Sequence, residues 1–281
     1  MGKVFILAID ALEHYFVEEW NLKNLMQKTY GSIDVSKKYG RNGASRPYTP
    51  IVWTSFITGK PPSVHGVDKW DTYGKFLDWV RQKTPLSRIK GKRKISSKLG
   101  ILPRFINRED WKDKNLSTIF DAIKPSIALF IPAYNERETF REDIFLTLWT
   151  RTKSIDECVN KIWEIHELRI KEMYERLNDD WELFMVWFDL ADLMGHICYG
   201  RRFYEFRKAY EVLDDLAFRI KSVLPEDVIM LIASDHGMKG SEDGVTGTHS
   251  NHSFWSLNIE TDWKPKDITD IAPKILELCK K

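Results

Sequence analysis

The stretch VIMLIASDHGM, residues 228–238, decides the fold of this chain. Its first six residues form an unbroken apolar run, the composition of a strand buried on both faces of a sheet. Asp235 and His236 follow almost at once. Neither core packing nor turn formation asks for an aspartate and a histidine side by side at the mouth of a buried strand, so the pair reads as metal ligands. In an open α/β sheet that edge is where ligands bind.

Two further runs repeat the pattern. VFILAI, residues 4–9, ends at Asp10, and ELFMVWF, residues 182–188, leads into DLADLMGH. Asp192 and His196 are four residues apart, which on a helix puts both side chains on one face within reach of a common ion. Asp189 competes with Asp192 for that role, and the helical spacing to His196 decides for Asp192. His249, in GTHSNHSFWS, closes the set, with His252 as its competitor. Alone, Asp10 would read as a strand-ending turn residue, and Asp192 with His196 as a solvated helix face; it is their convergence beside strand ends that points to a site. Carboxylate oxygens and imidazole nitrogens without a thiolate favour zinc, manganese or a similar first-row ion. His14 and His166 sit in helical patterns without such partners and read as surface or satisfied histidines.

Between these runs, strand-like and helix-like segments alternate, as in a sheet covered on both faces. A helix is predicted near 14–28, a strand near 32–36, helices near 50–58 and 116–123, and the strand SIALFI at 126–131. Long amphipathic helices near 155–178 and 203–222 flank ELFMVWF, and FWSLNI with a helix near 266–279 completes the chain. The expected architecture is a single α/β domain over 1–281, a three-layer sandwich with a largely parallel central sheet.

Composition bounds the function classes. The 281 residues with 43% hydrophobic content can bury a large core, and a net charge of +2 argues against a surface built wholly for nucleic acid. Cys158, Cys198 and Cys279 are odd in number and far apart, which speaks against a disulfide framework and for a reducing compartment. The apolar stretch at the N-terminus is too short for a signal segment and no run approaches a membrane span, so a soluble cytoplasmic protein is expected. One region departs from this balance. Within an insertion at about 68–115, residues 81–98 carry Arg81, Lys83, Arg88, Lys90, Lys92, Arg93, Lys94 and Lys98 without an acidic residue. Such a run could grip a phosphate-bearing or polymeric substrate, but a solvated surface insertion explains it more simply.

The nucleophile is sought in PYTPIVWTSFITGKPPSVHG, residues 47–66. Thr49 before Pro50 reads as an N-cap followed by the first helical residue, at a helix end that suits a bound phosphate. A hydroxyl touching a metal there becomes a usable nucleophile, whereas an ordinary N-cap would carry no chemistry. Thr54 and Ser55 lie deeper in the helix, where hydroxyls bond to backbone carbonyls.

Taken in order, AID near the start, TPIVWTSFITGKPPSVHGV, DLADLMGH, SDHGM and GTHS resemble the alkaline phosphatase superfamily, and within it the type I phosphodiesterase and nucleotide pyrophosphatase group. The resemblance spans the chain. It implies two divalent metal ions, zinc or manganese, at the carboxyl edge of the sheet: one held by Asp10, Thr49, Asp235 and His236, the other by Asp192, His196 and His249. It implies that Thr49 is the nucleophile, transiently phosphorylated or nucleotidylated, and that the substrate is a small phosphodiester or nucleotide. FIPAYNE, residues 130–136, is similar to another stretch of the family without bearing on the chemistry. One departure stands out. Trp70 occupies the position where the eukaryotic members carry an asparagine that holds a phosphate oxygen, which turns attention to the Ile51 N–H or to Lys69. A phosphomonoesterase or phosphomutase of the same superfamily and a polyanion-binding module are the rival expectations.

Overall fold

A computed structural model describes residues 2–35, 37–72, 74, 104–111, 115–136 and 154–280. Residues 81–98, the basic run, lie outside the described residues. In chain order the elements are β1 (Val4–Ile9), α1 (His14–Glu19), α2 (Lys23–Met26), β2 (Thr29–Asp34), α3 (Thr49–Thr58) and α4 (Pro62–His65). There follow β3 (Asp71–Thr72), β4 (Arg104–Phe105), α5 (Ile119–Ala122), β5 (Ser126–Leu129), α6 (Ile155–Leu177), β6 (Leu183–Phe188), α7 (Leu190–Cys198) and α8 (Phe203–Val223). The chain continues through β7 (Ile229–Ala233), β8 (Gly237–Gly240), β9 (Gly247–Ser250), β10 (His252–Leu257) and α9 (Ile271–Leu278).

Six strands form the central sheet in the order β2-β10-β7-β1-β6-β5. The pairs β7–β1, β1–β6 and β6–β5 are parallel, and β10 alone runs antiparallel to its neighbours. Every residue of β1 and β6 is buried, which is why their sequences are continuously apolar rather than alternating. Helices α2, α6, α7 and α8 form one packed group, and α3, α5 and α9 another. The register sets the site: Ile9 lies opposite Phe188, and Ala8 opposite Ala233, so Asp10, Asp189 and Asp235 leave the sheet at nearly one level.

Several boundaries differ from expectation for local reasons. The helix expected near 14–28 is two short ones, because Asn21 turns into the left-handed region at φ 52° and Leu22 starts a new helix. The strand expected at 32–36 begins earlier, at Thr29, as an edge strand with one exposed side. SIALFI stops pairing at Leu129 because Phe130 adopts φ 64°. The last helix is preceded by a separate 3-10 turn, Ile268–Asp270, capped by Asp267. Helix α6 is capped by Ser154, whose capping box with Glu157 satisfies the N–H groups of both residues.

The turn that carries α7 is held from behind. Arg169 on α6, 1% exposed, donates to the Trp187 carbonyl at 3.1 Å and to Asp189 Oδ2 at 3.3 Å, with its guanidinium over the Trp187 ring. Asp189 thus faces Arg169, whereas Asp192 faces His196 and His249. His166 on the same helix is buried against Phe188, and among the described residues neither ring nitrogen has a hydrogen-bond partner, which departs from the expectation of a surface or satisfied histidine. Burial pushes its pKa down to about 4, and the ring packs as a neutral aromatic. Replacing Arg169 with alanine removes the cation that faces the buried Asp189 carboxylate and should lower stability by about 3–5 kcal/mol, read as a shift of the urea midpoint at unchanged slope. A loss below about 1 kcal/mol would show the pair to be incidental.

Candidate active site

At the carboxyl edge of β1, β6 and β7 the structure gathers seven side chains. Asp10 follows β1, Asp235 and His236 follow β7, Asp192 and His196 lie on α7, His249 is on β9 and Thr49 opens α3. Two sets converge closely enough to share an ion: Asp10, Asp235 and His236, and Asp192, His236 and His249. His196 joins the second set, its Nε2 lying 3.2 Å from Asp192 Oδ1 and 3.1 Å from His249 Nε2. His236 Nε2 is 3.3 Å from Asp10 Oδ1 and 3.2 Å from Asp235 Oδ2. The two sets share a wall, since the His236 and His249 rings stack at 3.7 Å between centroids.

The hairpin of β8 and β9, which no pattern in the sequence announces, delivers His249. It docks on α7 by close backbone approach: a Cβ on Gly247 would lie 2.5 Å from the Gly195 carbonyl oxygen. His252, the competitor of His249, lies exposed at the start of β10.

Backbone carbonyls orient all three histidines. His196 Nδ1 lies 2.9 Å from the Gly247 carbonyl, His249 Nδ1 2.9 Å from that of Pro47, and His236 Nδ1 3.1 Å from that of Gly237. A carbonyl only accepts, so each Nδ1 carries a proton and each Nε2 faces the carboxylates as the atom that can take a cation, whether a proton or a metal ion. This is the arrangement that metal-ligating histidines require. His196 Nε2 and His249 Nε2, at 3.1 Å, cannot both present lone pairs without a proton or a cation nearby. Among the described residues, Oδ2 of the wholly buried Asp235 accepts no aligned hydrogen bond, although His236 Nε2 lies 3.2 Å away. The donor set of carboxylates and imidazoles thus fits divalent metal ions.

Electrostatics point the same way. Burial pushes the Asp235 carboxyl up to about 7, although hydrogen bonds to Asp10 and the Ala11 N–H pull in the other direction. His236 is held well below its ordinary value, first by burial and then by the neighbouring His249. Asp192 is also pushed up by burial, but the charge and hydrogen bonds of His196 and His249 outweigh this and hold it well below the usual range. The sets also differ in access. The side chains of Asp10, Asp235 and His236 are fully buried, whereas those of His196 and His249 are 25% and 18% exposed.

Thr49 does not cap its helix. Tyr48 is the N-cap, without a side-chain cap bond, Thr49 is the first helical residue, and Pro50 is the second. The Thr49 hydroxyl therefore turns away from the helix and lies 3.1 Å from His236 Nε2. The Ile51 N–H donates to the Tyr48 carbonyl at 2.9 Å, so it is already engaged and drops out as a phosphate donor. Thr54 donates to the Pro50 carbonyl at 2.7 Å, as its depth in the helix implies. Ser55 instead meets His65 Nε2 at 2.9 Å, and the Val67 N–H donates to His65 Nδ1 at 3.1 Å. That fixes the proton on Nε2, so His65 donates to Ser55 and cannot act as its base.

Comparison with known proteins places the chain. A profile of the family described as type I phosphodiesterase / nucleotide pyrophosphatase matches residues 7–275. The chain belongs to this family, within the alkaline phosphatase superfamily. Among solved structures, murine ectonucleotide pyrophosphatase / phosphodiesterase 5 is 14% identical with a TM-score of 0.47, and the match covers 86% of this chain and 59% of that one. The same figures hold for an inactive threonine-to-alanine variant of the murine protein in complex with AMP. The human counterpart is 14% identical with a TM-score of 0.41, over 86% of this chain and 58% of that one. The chain thus spans under two thirds of the length of these structures. No curated protein matches it at the sequence level.

The raised Asp235 carboxyl gives a pH-dependent test of the metal sites. A carboxyl whose folded value of about 7 exceeds its ordinary 3.8 contributes stability to the metal-free protein below about pH 4, and that contribution is lost as pH rises through 7. Protons replace the cation at low pH and cannot do so at high pH. Chelation should therefore lower Tm much more at pH 8 than at pH 5.5, by the equivalent of about 3–4 kcal/mol if ions were present at a hundredfold to a thousandfold excess over Kd. An equal effect of chelator at both pH values would show that no ion neutralises this carboxylate.

Proposed function

We propose that this chain is a metal-dependent hydrolase of phosphodiester or nucleotide pyrophosphate bonds, with Thr49 as its nucleophile. The observation that carries the reading is the Thr49 hydroxyl, 2% exposed and turned off its own helix onto His236 Nε2 at the edge of the buried acid and imidazole cluster. Asp10, Thr49, Asp235 and His236 would hold one divalent ion and Asp192, His196 and His249 a second, zinc in first place and manganese as the alternative. Bound there, the ions would supply Lewis-acid neutralisation of charge on the phosphoryl group and on the attacking and departing oxygens.

The residues of the chain account for the rest. The Thr49 oxygen attacks phosphorus in line with the leaving oxygen. A bond forms from Oγ1 to phosphorus, the ester or anhydride bond breaks, and the alcohol or nucleotide departs. Water then displaces the threonine from phosphorus and restores the hydroxyl. The carbonyls of Pro47, Gly237 and Gly247 keep the imidazoles aimed throughout. Arg46, the nearest cation to Thr49 in sequence, donates to Thr248 Oγ1 at 2.8 Å. One bond to a neutral hydroxyl leaves the guanidinium charged with donors to spare, and the preference for diesters over monoesters rests on the family alone. Cys158, Cys198 and Cys279 are buried and form no disulfide among the described residues, and no helix among them is long and apolar enough to cross a membrane.

Replacement of Thr49 by alanine should leave folding and most metal uptake in place while hydrolysis of a chromogenic diester falls by several orders of magnitude. Serine there should retain part of the rate, since only the methyl that restricts the rotamer is lost. An alanine variant as fast as the unaltered protein would remove Thr49 from the chemistry. A monoester preference would restore the phosphatase or mutase reading.

A further inference from the structure

We propose that Glu13 is a positioning residue that holds the His249 strand in register with the Asp235–His236 turn. The inference rests on the metal-site reading given above and adds to it a buried carboxylate that belongs to neither metal-capable set. Glu13 is 5% exposed and lies three residues beyond Asp10. Its Oε2 accepts a short hydrogen bond from the hydroxyl of Ser250, the residue after His249. Ser250 Oγ in turn accepts the N–H of His252 at 3.3 Å, which fixes the passage from β9 into β10.

The same carboxylate lies against the residue after His236. A Cβ on Gly237 would sit 2.1 Å from Glu13 Oε2, 2.5 Å from Ser250 Oγ and 2.5 Å from the His252 carbonyl oxygen. Gly237 and Ser250 are register partners in the hairpin, so one carboxylate touches both of its strands where they leave the ligands. The backbone of Glu13 is anchored independently. Its N–H donates to the Tyr210 hydroxyl at 2.9 Å, and that hydroxyl donates to the Ala11 carbonyl at 2.9 Å. The Ala11 N–H reaches Asp235 Oδ1 at 3.3 Å. Glu13 thus ties together the three segments that carry Asp10, His236 and His249.

Glu13 also caps α1, accepting the Tyr15 N–H at 3.4 Å on Oε1, and the test must separate the two roles. Glu13→Asp keeps a charged cap, because a short carboxylate is a good N-cap, but draws it back from Ser250. Ser250→Ala removes the pin without touching the cap. Gly237→Ala pushes the carboxylate aside. Zinc uptake by chelator-treated protein in equilibrium dialysis, together with the absorption spectrum of the cobalt(II)-loaded protein, reports the sites without turnover.

The unaltered protein should take up two ions. The Glu13→Ala, Glu13→Asp, Ser250→Ala and Gly237→Ala variants should each hold one of them about 10- to 100-fold more weakly, with an altered cobalt spectrum. Combining Glu13→Ala with Ser250→Ala should cost less than the sum of the two single changes, since both remove the contact between Glu13 and Ser250. If Glu13→Ala does not fold, the aspartate and serine-site variants decide. Affinities and spectra unchanged in Glu13→Asp and Ser250→Ala would overturn the inference and leave Glu13 as a helix cap. Failure of the unaltered protein to take up any ion would overturn the metal-site reading itself, and this inference with it.

Discussion

Carboxylates cannot be crowded into one buried pocket without a compensating positive charge, and that constraint governs the rest of this molecule. Asp10, Asp192 and Asp235 are each at most 2% exposed. The imidazoles that face them are aimed by carbonyls so that their unprotonated nitrogens point inward. Such a set is poorly balanced by itself and well balanced by divalent cations. The parallel sheet supplies the place where three chain segments can deliver their aspartates together, and the helices behind it supply rigidity.

Much of this was legible in the sequence because burial on both faces leaves an unmistakable mark. VFILAI, LFMVWF and IMLIA can be little else than interior strands, and the acids that terminate them stand out against that background. Helices α6 and α8 were legible from their apolar periodicity, α6 to within a residue at each end. The hairpin of β8 and β9 was not, because GMKG and GTHS are short, carry glycine and show no alternation. Their pairing depends on close approach to α7, a tertiary contact that local pattern does not encode. The role of Thr49 as a cap was misjudged for a related reason. The dipeptide Thr-Pro is compatible with helix entry one residue earlier, and only the position of His236 shows where the hydroxyl turns.

Arg169 and Glu13 illustrate a second kind of silence. Each is a charged residue within a helical or loop segment that otherwise reads as surface. What buries them is the partner each meets from far along the chain: Asp189 twenty residues on for Arg169, and Ser250 at a separation of 237 for Glu13. Helical periodicity is a local rule, so the spacing from Asp192 to His196 could be read from the sequence, and the fold sets Asp192 beside His196 and His249 while Asp189 faces Arg169. Finding the residues that support the ligands required the fold.

The unequal exposure of the two clusters gives the site a direction. Thr49, Asp10, Asp235 and His236 form its floor, and His196 and His249 form its rim. Because the His236 and His249 rings lie face to face at 3.7 Å, floor and rim are in van der Waals contact with no gap for water between those two rings. Motion of the outer imidazole is therefore hindered by the inner one. The His249 ring is thus backed by the floor of the site, and whatever enters meets that ring already in place.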